Sequence, residues 1–449
     1  MTSIQIKKGF DLNIIGQPAA DVTVLPQPDR VALLPERIPF IKPRLKVKIG
    51  DTVQLGTPLI EDRRDPAIQF HSPGGGRITD IRFGPRRVIE AIVVAVENDE
   101  KFVPFESYTT QDVEKLERSQ LVQAIVKGGL WPLIRELPFR DYPRPDSIPP
   151  ALYVCLDNLE PFQPRPEIYL KGNQDLLDFG LTVMQRLAEG RLVVSAQQNF
   201  NDLARRLNGA TQLRYSGLYP AHDPGVLLYH TKTSADQNHA WYIDGQDVLL
   251  IAALLKHGRY PTDRIVSLGG SAVSRPCHVL TRLGAPLFQI IGGRLQEDEL
   301  RFISGGVLTG YASQRGSYLG LREKALNLLP EGNMPGELLS LFRPGYRKPT
   351  FSRAFASRFN RNALEYDCNI HGGDRACIAC GYCTLVCPVD ILPQFTLKAI
   401  LAGEVEEALQ HGLLDCVECG LCSYVCPSKI DLFETLKNAK ADFYKELGK

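Results

Sequence analysis

The sequence predicts a multidomain α+β protein with a cysteine-rich helical tail, and three observations support this prediction. The beginning is rich in short β-like stretches, the middle alternates helical and strand-like segments, and eight of the eleven cysteines lie in two blocks near the end. A chain of 449 residues is too long for one ordinary core. We therefore expect four modules, at residues 1–105, 106–260, 261–335 and 336–449.

Composition excludes several classes of protein. Lys and Arg total 52 against 51 for Asp and Glu, so the net charge of +1 offers no field for nucleic acid. Residues 1–12 lack the apolar core and cleavage site of a secretory signal, which predicts a cytoplasmic chain. Apolar runs such as Val248 to Leu255 are far too short to cross a bilayer, so we expect no membrane span.

Residues 1–105 predict a small β domain, because strand-like stretches such as "VIEAIVVAVEN" alternate with turn signals. The run from Val47 to Ile81 resembles a lipoyl-like barrel-sandwich fold, with turns at Gly50 and at Gly74 to Gly76. A working lipoyl domain carries a modifiable Lys at a hairpin tip, but residues 62–65 here read DRRD. The module is therefore interpreted as a scaffold without a swinging arm.

Residues 106–260 predict a Rossmann-like α/β domain with a largely parallel sheet. Helical patterns alternate there with apolar strand-like runs. The helical patterns are "VEKLERSQLVQAIVKGG" and "DLLDFGLTVMQRLAEG", and the strand-like runs are "ALYVCLDN", "RLVVSAQQ" and "GVLLYH".

Residues 261–335 return to short strands and glycines ("DRIVSLGGSAV", "PLFQIIGG", "LRFISGGVLTG"), which predicts a small β-grasp, SLBB-like module. The stretches Leu268 to Ser274 and Gly305 to Ala312 both fail the G-x-G-x-x-G spacing, and the second also lacks the Lys of a P-loop. Their glycines are interpreted as turn residues.

The tail carries two copies of the spacing C-x2-C-x2-C-x3-C-P, which is typical of two-cluster bacterial ferredoxins. The copies are Cys377, Cys380, Cys383 and Cys387 before Pro388, and Cys416, Cys419, Cys422 and Cys426 before Pro427. In this spacing the fourth Cys of each block binds the other cluster. One 4Fe-4S cluster is thus assigned to Cys377, Cys380, Cys383 and Cys426, and the other to Cys416, Cys419, Cys422 and Cys387.

Residues 388–415 contain enough helical sequence to place helices between the blocks, which predicts a helical two-cluster ferredoxin domain. Gly381 and Gly420 follow the second Cys of each block, where a tight loop favours a residue without Cβ. Two structural zinc sites are the alternative, although zinc would leave the third Cys and the Cys-Pro endings unexplained. Clusters of this kind relay single electrons and perform no bond chemistry.

The other candidate residues are weaker. Cys155 and Cys368 lie outside the repeat and are interpreted as structural or bystander thiols. Cys277 beside His278 is a lone pair in sequence with no third partner. No H-E-x-x-H occurs, and no catalytic residue is assigned.

The segment from Arg343 to Arg361 carries six cations, no acid and four aromatic residues. It is either a packed connector or a docking site for a partner or an anionic membrane surface.

Four further motifs carry a resemblance that runs through nearly the whole chain. They are "IKKGFDL" (6–12), "GGLWPLIRELPF" (128–139), "QDVLLIAALL" with "YPTDRIVSLGG" (246–270) and "RFISGGVLTG" (301–310). With the order of modules, they resemble the family that unites the A subunit of the sodium-translocating NADH:quinone reductase with the C subunit of the Rnf complex. The resemblance implies that the α/β domain is similar to the 51 kDa subunit of complex I.

The chain combines features of both branches of that family. The A subunit of the quinone reductase typically lacks most of these cysteines, whereas the C subunit of Rnf keeps two full cluster motifs. The Rnf branch also carries a Gly-rich flavin and NADH loop, where this chain has Lys127 to Pro132. Bulky Leu130 and Trp131 would crowd a nucleotide there, which argues against FMN or NADH on this chain.

The resemblance implies a peripheral subunit on the cytoplasmic face of the inner (cell) membrane, within an ion-translocating NADH:quinone oxidoreductase. It would relay electrons through two 4Fe-4S clusters, with the other subunits as partners and quinone as a candidate ligand. The alternatives are an Rnf-type subunit passing electrons between NADH and ferredoxin, and a scaffold with structural clusters. The segments Trp131 to Phe139 and Val31 to Leu45 are candidates for contact with quinone or the membrane partner.

Overall fold

The computed structural model describes residues 2–200, 210–295, 299–332, 346, 349–352 and 354–448. Four cations of the basic segment, Arg343, Arg347, Lys348 and Arg353, lie outside the described residues. The strands of the described part are β1 Thr2–Gln5, β2 Val22–Val24, β3 Arg30–Leu33, β4 Pro43–Leu45, β5 Thr52–Val53, β6 Pro58–Asp62, β7 Asp65–His71, β8 Gly76–Phe83, β9 Ile89–Val96, β10 Arg135–Glu136, β11 Leu152–Cys155, β12 Leu192–Gln197, β13 Thr211–Ser216, β14 Trp241–Asp244, β15 Asp263–Gly269, β16 Cys277–Arg282, β17 Leu300–Ser304, β18 Tyr311–Ser313 and β19 Ala325–Pro330.

The helices concentrate in the middle and at the end of the chain, as the sequence patterns predict. They are α1 Thr110–Lys115, α2 Arg118–Lys127, α3 Pro166–Tyr169, α4 Gln174–Ala188, α5 Pro224–Thr231, α6 Gly245–His257, α7 Leu287–Ile291, α8 Tyr382–Val386, α9 Pro393–Ala402, α10 Val405–Gln410, α11 Leu421–Tyr424 and α12 Leu432–Glu446.

A six-stranded sheet in the order β1-β13-β12-β11-β14-β10 organises the middle of the chain. Its first five strands run parallel, and β10 closes the edge antiparallel to β14. The central strand β11 is buried along its whole length, as expected for a parallel sheet covered on both faces. Helices α4 and α6 pack together over one face.

The prediction of a strand for the run "GVLLYH" is wrong, because this run lies in helix α5. Asp223 caps this helix by accepting a hydrogen bond from the Gly225 backbone, and Pro224 occupies the first turn. A short run that is apolar on every side fits a buried helix as well as a strand, so periodicity cannot separate the two. The start signals just before the run point to the helix.

Residues 30–96 form the β module, a four-stranded sheet β3-β9-β8-β5 beside a three-stranded sheet β4-β6-β7. The β6–β7 hairpin tip packs against the α/β domain. There Arg64 bridges Asp62 at 2.8 Å and Asp141 at 2.5 Å, and the Tyr142 hydroxyl donates to Asp62. The DRRD sequence therefore serves as an interdomain contact.

The third module is built on a six-stranded sheet in the order β18-β17-β19-β15-β16-β2. The N-terminal stretch ties the modules together, because β1 pairs with β13 of the α/β sheet while β2 pairs with β16 here. The expectation of a strand in "PLFQIIGG" is wrong, since Leu287 to Ile291 form helix α7 and Gly292 ends it with φ +54°.

The segment from Gly128 to Trp131 is packed inside the molecule. Leu130 and Trp131 are fully buried, and the Trp131 indole donates to the Pro143 carbonyl at 2.8 Å. The expectation that the Trp131 side chain contacts a membrane partner is therefore wrong, because that side chain is fully buried. Its contact with quinone, and the crowding of a nucleotide by Leu130 and Trp131, stay predictions. A Cβ on Gly128 would come within 2.1 Å of Leu254, so close packing requires this glycine.

The cysteine-rich tail shares one hydrophobic core with the α/β domain. Leu213 and Leu227 of that domain lie in the same buried cluster as Cys387, Leu397 and Leu436. Lys8 and Lys232 bridge to tail residues Asp390 at 2.6 Å and Asp415 at 3.0 Å. Within the described ranges, we find no helix with the length and hydropathy needed to cross a membrane.

Candidate metal centre

The two cysteine loops have the same backbone conformation at matching positions. Ala379 and Glu418, each directly before the second Cys, have φ +54° and +55°, and Gly381 and Gly420 follow at +75° and +77°. The third residue after each fourth Cys is also left-handed, as φ is +53° at Asp390 and +59° at Lys429. The repeat in sequence is thus a repeat in structure, although non-glycine residues at positive φ were not foreseen.

The second block and the last Cys of the first block meet in the interior. Cys387, Cys416, Cys419 and Cys422 all line one small cavity between α8, α11 and α12, and Cys383 of the first block lines it too. Burial raises the pKa of the Cys387 thiol to about 11, and it raises those of Cys416, Cys419 and Cys422. These thiolates would be unstable there without a compensating positive charge, which iron supplies.

The first block lies nearer the surface. Cys377 and Cys380 are exposed, whereas Cys383 is buried. Cys426 comes close to this block because the chains before Cys377 and after Cys426 are joined by two hydrogen bonds. Ser428 donates from Oγ to the Ala376 carbonyl at 2.9 Å, and the Arg375 backbone donates to the Ser428 carbonyl at 2.9 Å.

The cross-over grouping drawn from the spacing is compatible with this arrangement and stays a prediction. Over the described ranges, no three Cys, His, Asp or Glu side chains converge closely enough to hold one metal ion. A cube of four irons takes its thiolates at separate corners, and cysteines placed around one cavity suit that geometry. We find the residues present compatible with a 4Fe-4S cluster at Cys387, Cys416, Cys419 and Cys422.

Three side chains from outside the repeat donate hydrogen bonds to the carbonyls of the second cysteine loop. Arg140 reaches the Val417 carbonyl at 3.0 Å, Tyr219 the Cys419 carbonyl at 2.8 Å, and Lys440 the Cys416 carbonyl at 2.8 Å. Arg140 also pairs with Asp223, and Lys440 with Glu418. Sequence reasoning missed all three residues, because only the fold brings them to the loop.

A large cavity of about 410 Å³ adjoins the same loop. Cys155 and Asp244 line it from the carboxyl ends of β11 and β14, and Cys419 lines it from the tail. Crevices at this end of parallel strands are where α/β proteins bind ligands. The sequence has no G-x-G-x-x-G motif, so sequence reasoning did not predict a ligand cavity at this position.

Other candidate residues have the following positions. Phe139 and the stretch from Arg37 to Phe40 line the large cavity, whereas Val31 to Leu34 are buried. Cys155 is buried, and burial raises its pKa to about 12, while Cys368 is half-buried with a pKa raised to about 11 for the same reason. His278 bonds the Ala19 carbonyl at 2.6 Å.

Four family models match the chain in order. Residues 4–97 match an "NqrA N-terminal barrel-sandwich hybrid domain", 116–260 an "NqrA second alpha/beta domain", 265–315 an "NQRA C-terminal domain" and 376–430 a "4Fe-4S dicluster domain". The multidomain prediction with barrel-sandwich, α/β and 4Fe-4S parts is thereby confirmed. The lipoyl-like, Rossmann-like and β-grasp details stay predictions.

Several relatives align over most of their length. The A subunit of the Na(+)-translocating NADH-quinone reductase from Yersinia pseudotuberculosis serotype I (strain IP32953) is 33% identical over 92% of both chains. The proteins of the same name from Actinobacillus pleuropneumoniae serotype 5b (strain L20) and Klebsiella pneumoniae (strain 342) are 34% and 33% identical, again over 92% of each chain.

Among solved structures, the chain aligns with one titled "Crystal structure of NAD+-reducing [NiFe]-hydrogenase in the H2-reduced state". The TM-score is 0.40 at 10% identity, over 75% of this chain and 63% of that one. This similarity is too weak to carry functional weight.

Proposed function

The chain belongs to the NqrA family, the A subunits of Na+-translocating NADH-quinone reductases, and we propose that it is an electron-transfer subunit of an NADH:quinone reductase complex. In this proposal it relays electrons through two 4Fe-4S clusters and carries out no bond chemistry itself. Its partners are the other subunits of the complex, which hold it at the cytoplasmic face of the membrane. Sodium translocation and quinone reduction belong to the complex as a whole.

The observation that carries the proposal is the unequal depth of the two cysteine sets. Cys387, Cys416, Cys419 and Cys422 all line an interior cavity, whereas in the other set only Cys383 lines that cavity and Cys377 and Cys380 are exposed. A cluster at Cys387, Cys416, Cys419 and Cys422 would be shielded by protein, and one that includes Cys377 and Cys380 would lie at the surface. Neighbouring clusters at two depths suit a path between the interior and a docked partner.

The Rnf-type alternative receives less support. The relatives described above are A subunits of the quinone reductase, and the resemblance to the Rnf branch rests on the tail. We propose that this tail adds electron relay to a body of the NqrA type. FMN and NADH are not assigned to this chain.

The identity and number of the metal groups provide the first test. The full chain is purified without oxygen, and its iron, sulfide and zinc contents are measured together with its electron paramagnetic resonance spectrum. We expect about eight iron atoms per chain, the content of two 4Fe-4S clusters. Zinc in place of iron, or about four irons, would sink the two-cluster proposal.

The cross-over of ligands provides the second test. Cys387→Ser is expected to alter the spectrum of the buried cluster, and Cys426→Ser that of the exposed cluster, because each fourth Cys serves the other block. The matched control is Cys368→Ser, a half-buried thiol outside the repeat, which should leave both signals unchanged. If each variant instead altered the cluster of its own block, the assignment would be wrong.

Nucleotide binding separates the two branches of the family. We expect no NADH binding when the isolated full chain is titrated with NADH and followed by calorimetry. Measurable binding would favour the Rnf-type function. Intact clusters that no other subunit of the complex can reduce would favour a structural scaffold.

A further inference from the structure

Two arginines that line the large cavity, Arg135 and Arg322, have no ion pair within the described part of the chain. Lys437 also lines the cavity, with its ammonium over the Phe433 ring at 5.3 Å. The remaining Lys and Arg side chains on the wall are ion-paired. Their pairs are Arg37 with Glu323 at 2.8 Å, Arg140 with Asp223 at 2.8 Å, Lys324 with Asp244 and Asp247 at 3.0 Å each, and Lys440 with Glu418 at 2.9 Å.

In the described part of the chain, the direct contacts of these two side chains are with neutral groups, and the carboxylates of Asp247 and Asp141 act on Arg322 only as nearby charges. The Arg135 guanidinium lies over the Tyr242 ring, 4.4 Å from its centroid, and Arg322 donates to the Pro132 carbonyl. The Nε atom of each is buried and has no hydrogen-bond partner in the described structure. Buried donors of this kind are normally satisfied, so each guanidinium has hydrogen-bonding capacity left for a ligand.

The two positive charges also repel each other. Burial and the neighbouring Arg135 together lower the pKa of Arg322 to about 10, which still leaves it charged at neutral pH. A bound anion would remove this repulsion and fill the vacant donor positions. Paired guanidiniums match the oxygen geometry of phosphates and carboxylates.

The carboxylates on the same wall do not fill this role, because each has its own donors. Glu160 accepts hydrogen bonds from the Leu308 backbone at 2.6 Å and the Thr309 hydroxyl at 2.8 Å. Asp157 accepts from the Gln197 backbone at 2.5 Å and the Tyr215 hydroxyl at 3.2 Å.

We propose that the large cavity binds a small molecule through a phosphate or carboxylate group held between Arg135 and Arg322. The volume of about 410 Å³ lies in the range of small-molecule sites. Phe40, Phe139 and Tyr311 also line the cavity and offer apolar surface to a planar ligand body. Cys419 lines it too, so the ligand would lie beside the buried cysteine set.

Calorimetry on the full chain tests the site with two planar probes, phenyl phosphate and benzoate, at constant ionic strength. Binding of phenyl phosphate alone would identify a phosphate ligand, and binding of benzoate alone a carboxylate ligand. Arg135→Gln and Arg322→Gln should each weaken binding about tenfold or more, since each removes charged hydrogen bonds. Arg322→Lys keeps the positive charge but loses the two parallel N–H donors of the guanidinium. This variant should therefore weaken probe binding less than Arg322→Gln does.

The matched control is Arg301→Gln, which removes a surface guanidinium paired with Glu331 and should leave binding unchanged. Circular dichroism confirms that each variant is folded, and iron analysis of the same samples separates loss of anion binding from loss of clusters. No binding of either probe at millimolar concentration would overturn the proposal. It would equally be overturned by wild-type affinity in folded Arg135→Gln and Arg322→Gln chains.

Discussion

At the scale of single residues, Lys440 places a buried positive charge beside the second cysteine loop. It donates to the Cys416 carbonyl at 2.8 Å and pairs with Glu418 at 2.9 Å. A nearby positive charge stabilises the additional electron of a reduced cluster. We therefore expect Lys440→Met to lower the reduction potential of the buried cluster, on the order of tens of millivolts.

Redox titration followed by electron paramagnetic resonance measures this change. The control is Lys445→Met on the same helix, where the lysine is exposed and pairs with Asp442. An unchanged or raised potential in Lys440→Met would contradict the expectation.

His71 is a buried residue with a consequence for pH. Both ring nitrogens are buried and have no hydrogen-bond partner among the described residues, and burial lowers the pKa of His71 to about 4. The folded pKa lies below that of the unfolded chain, near 6.5. Keeping the ring neutral therefore contributes fully to the free energy of unfolding above about pH 6.5. This contribution, about 3 kcal/mol in all, is lost as the pH falls towards 4.

His71→Phe should accordingly lose less stability than the wild type between pH 7.5 and 5, as measured by urea unfolding at both values. His257→Phe, at an exposed helix end, serves as the control and should keep the wild-type dependence. Equal acid sensitivity in His71→Phe and the wild type would show that His71 does not carry the effect.

At the scale of elements, the crossing of α4 and α6 depends on Gly180. A Cβ at this position would lie 2.6 Å from Val248 Cγ1 and 3.2 Å from Ala252 Cβ. In an isolated helix, Gly→Ala stabilises by about 1 kcal/mol. Here we expect Gly180→Ala to destabilise the protein by about 1–3 kcal/mol, because overpacking outweighs propensity.

Urea unfolding measures the difference. Gly316→Ala is the control, since no heavy atom lies within 4 Å of its added Cβ and its φ is not left-handed. A stabilised Gly180→Ala variant would mean that the helices separate at little cost.

The helices also show which sequence patterns predict secondary structure and which do not. Residues 174–188 have apolar positions at helical spacing and form α4, as predicted. "GVLLYH" and "PLFQII" are short and apolar throughout, and both form helices where strands were expected. A periodic segment specifies which face is buried, whereas a uniformly apolar one is buried on all sides and leaves the choice to its neighbours.

At the scale of the whole molecule, metal and fold are coupled through the shared core of tail and α/β domain. Several of the proposed ligands are covered or partly covered by apolar residues of that core, among them Cys387, Cys416 and Cys419. We expect removal of iron to loosen residues 377–427 while the α/β sheet stays folded, since the sheet has its own core.

Hydrogen exchange before and after anaerobic chelation measures this difference. Protection should fall in the two cysteine loops and change little in strands β11 and β12. Equal loss of protection throughout the chain would show that the clusters hold the entire fold, and no loss anywhere would show that they are not needed for the tail.

Short-range spacing in the sequence determined the chemistry proposed for this protein. The ligand type, the two sets of four cysteines and the glycines after the second Cys can all be read within about a dozen residues. The order of the domains follows in the same way from local periodicity. These features depend on neighbours along the chain, and so need no knowledge of the fold.

Only the tertiary structure decided which cysteine set lies deeper, where the cavity lies and which side chains line it. Arg140 and Tyr219 reach the second cysteine loop from the α/β domain, and Arg135 and Arg322 meet from separate domains. Trp131 lies in the core for the same reason, since its partner Trp241 is distant in sequence. Such contacts arise from packing between remote segments, and no local pattern records them.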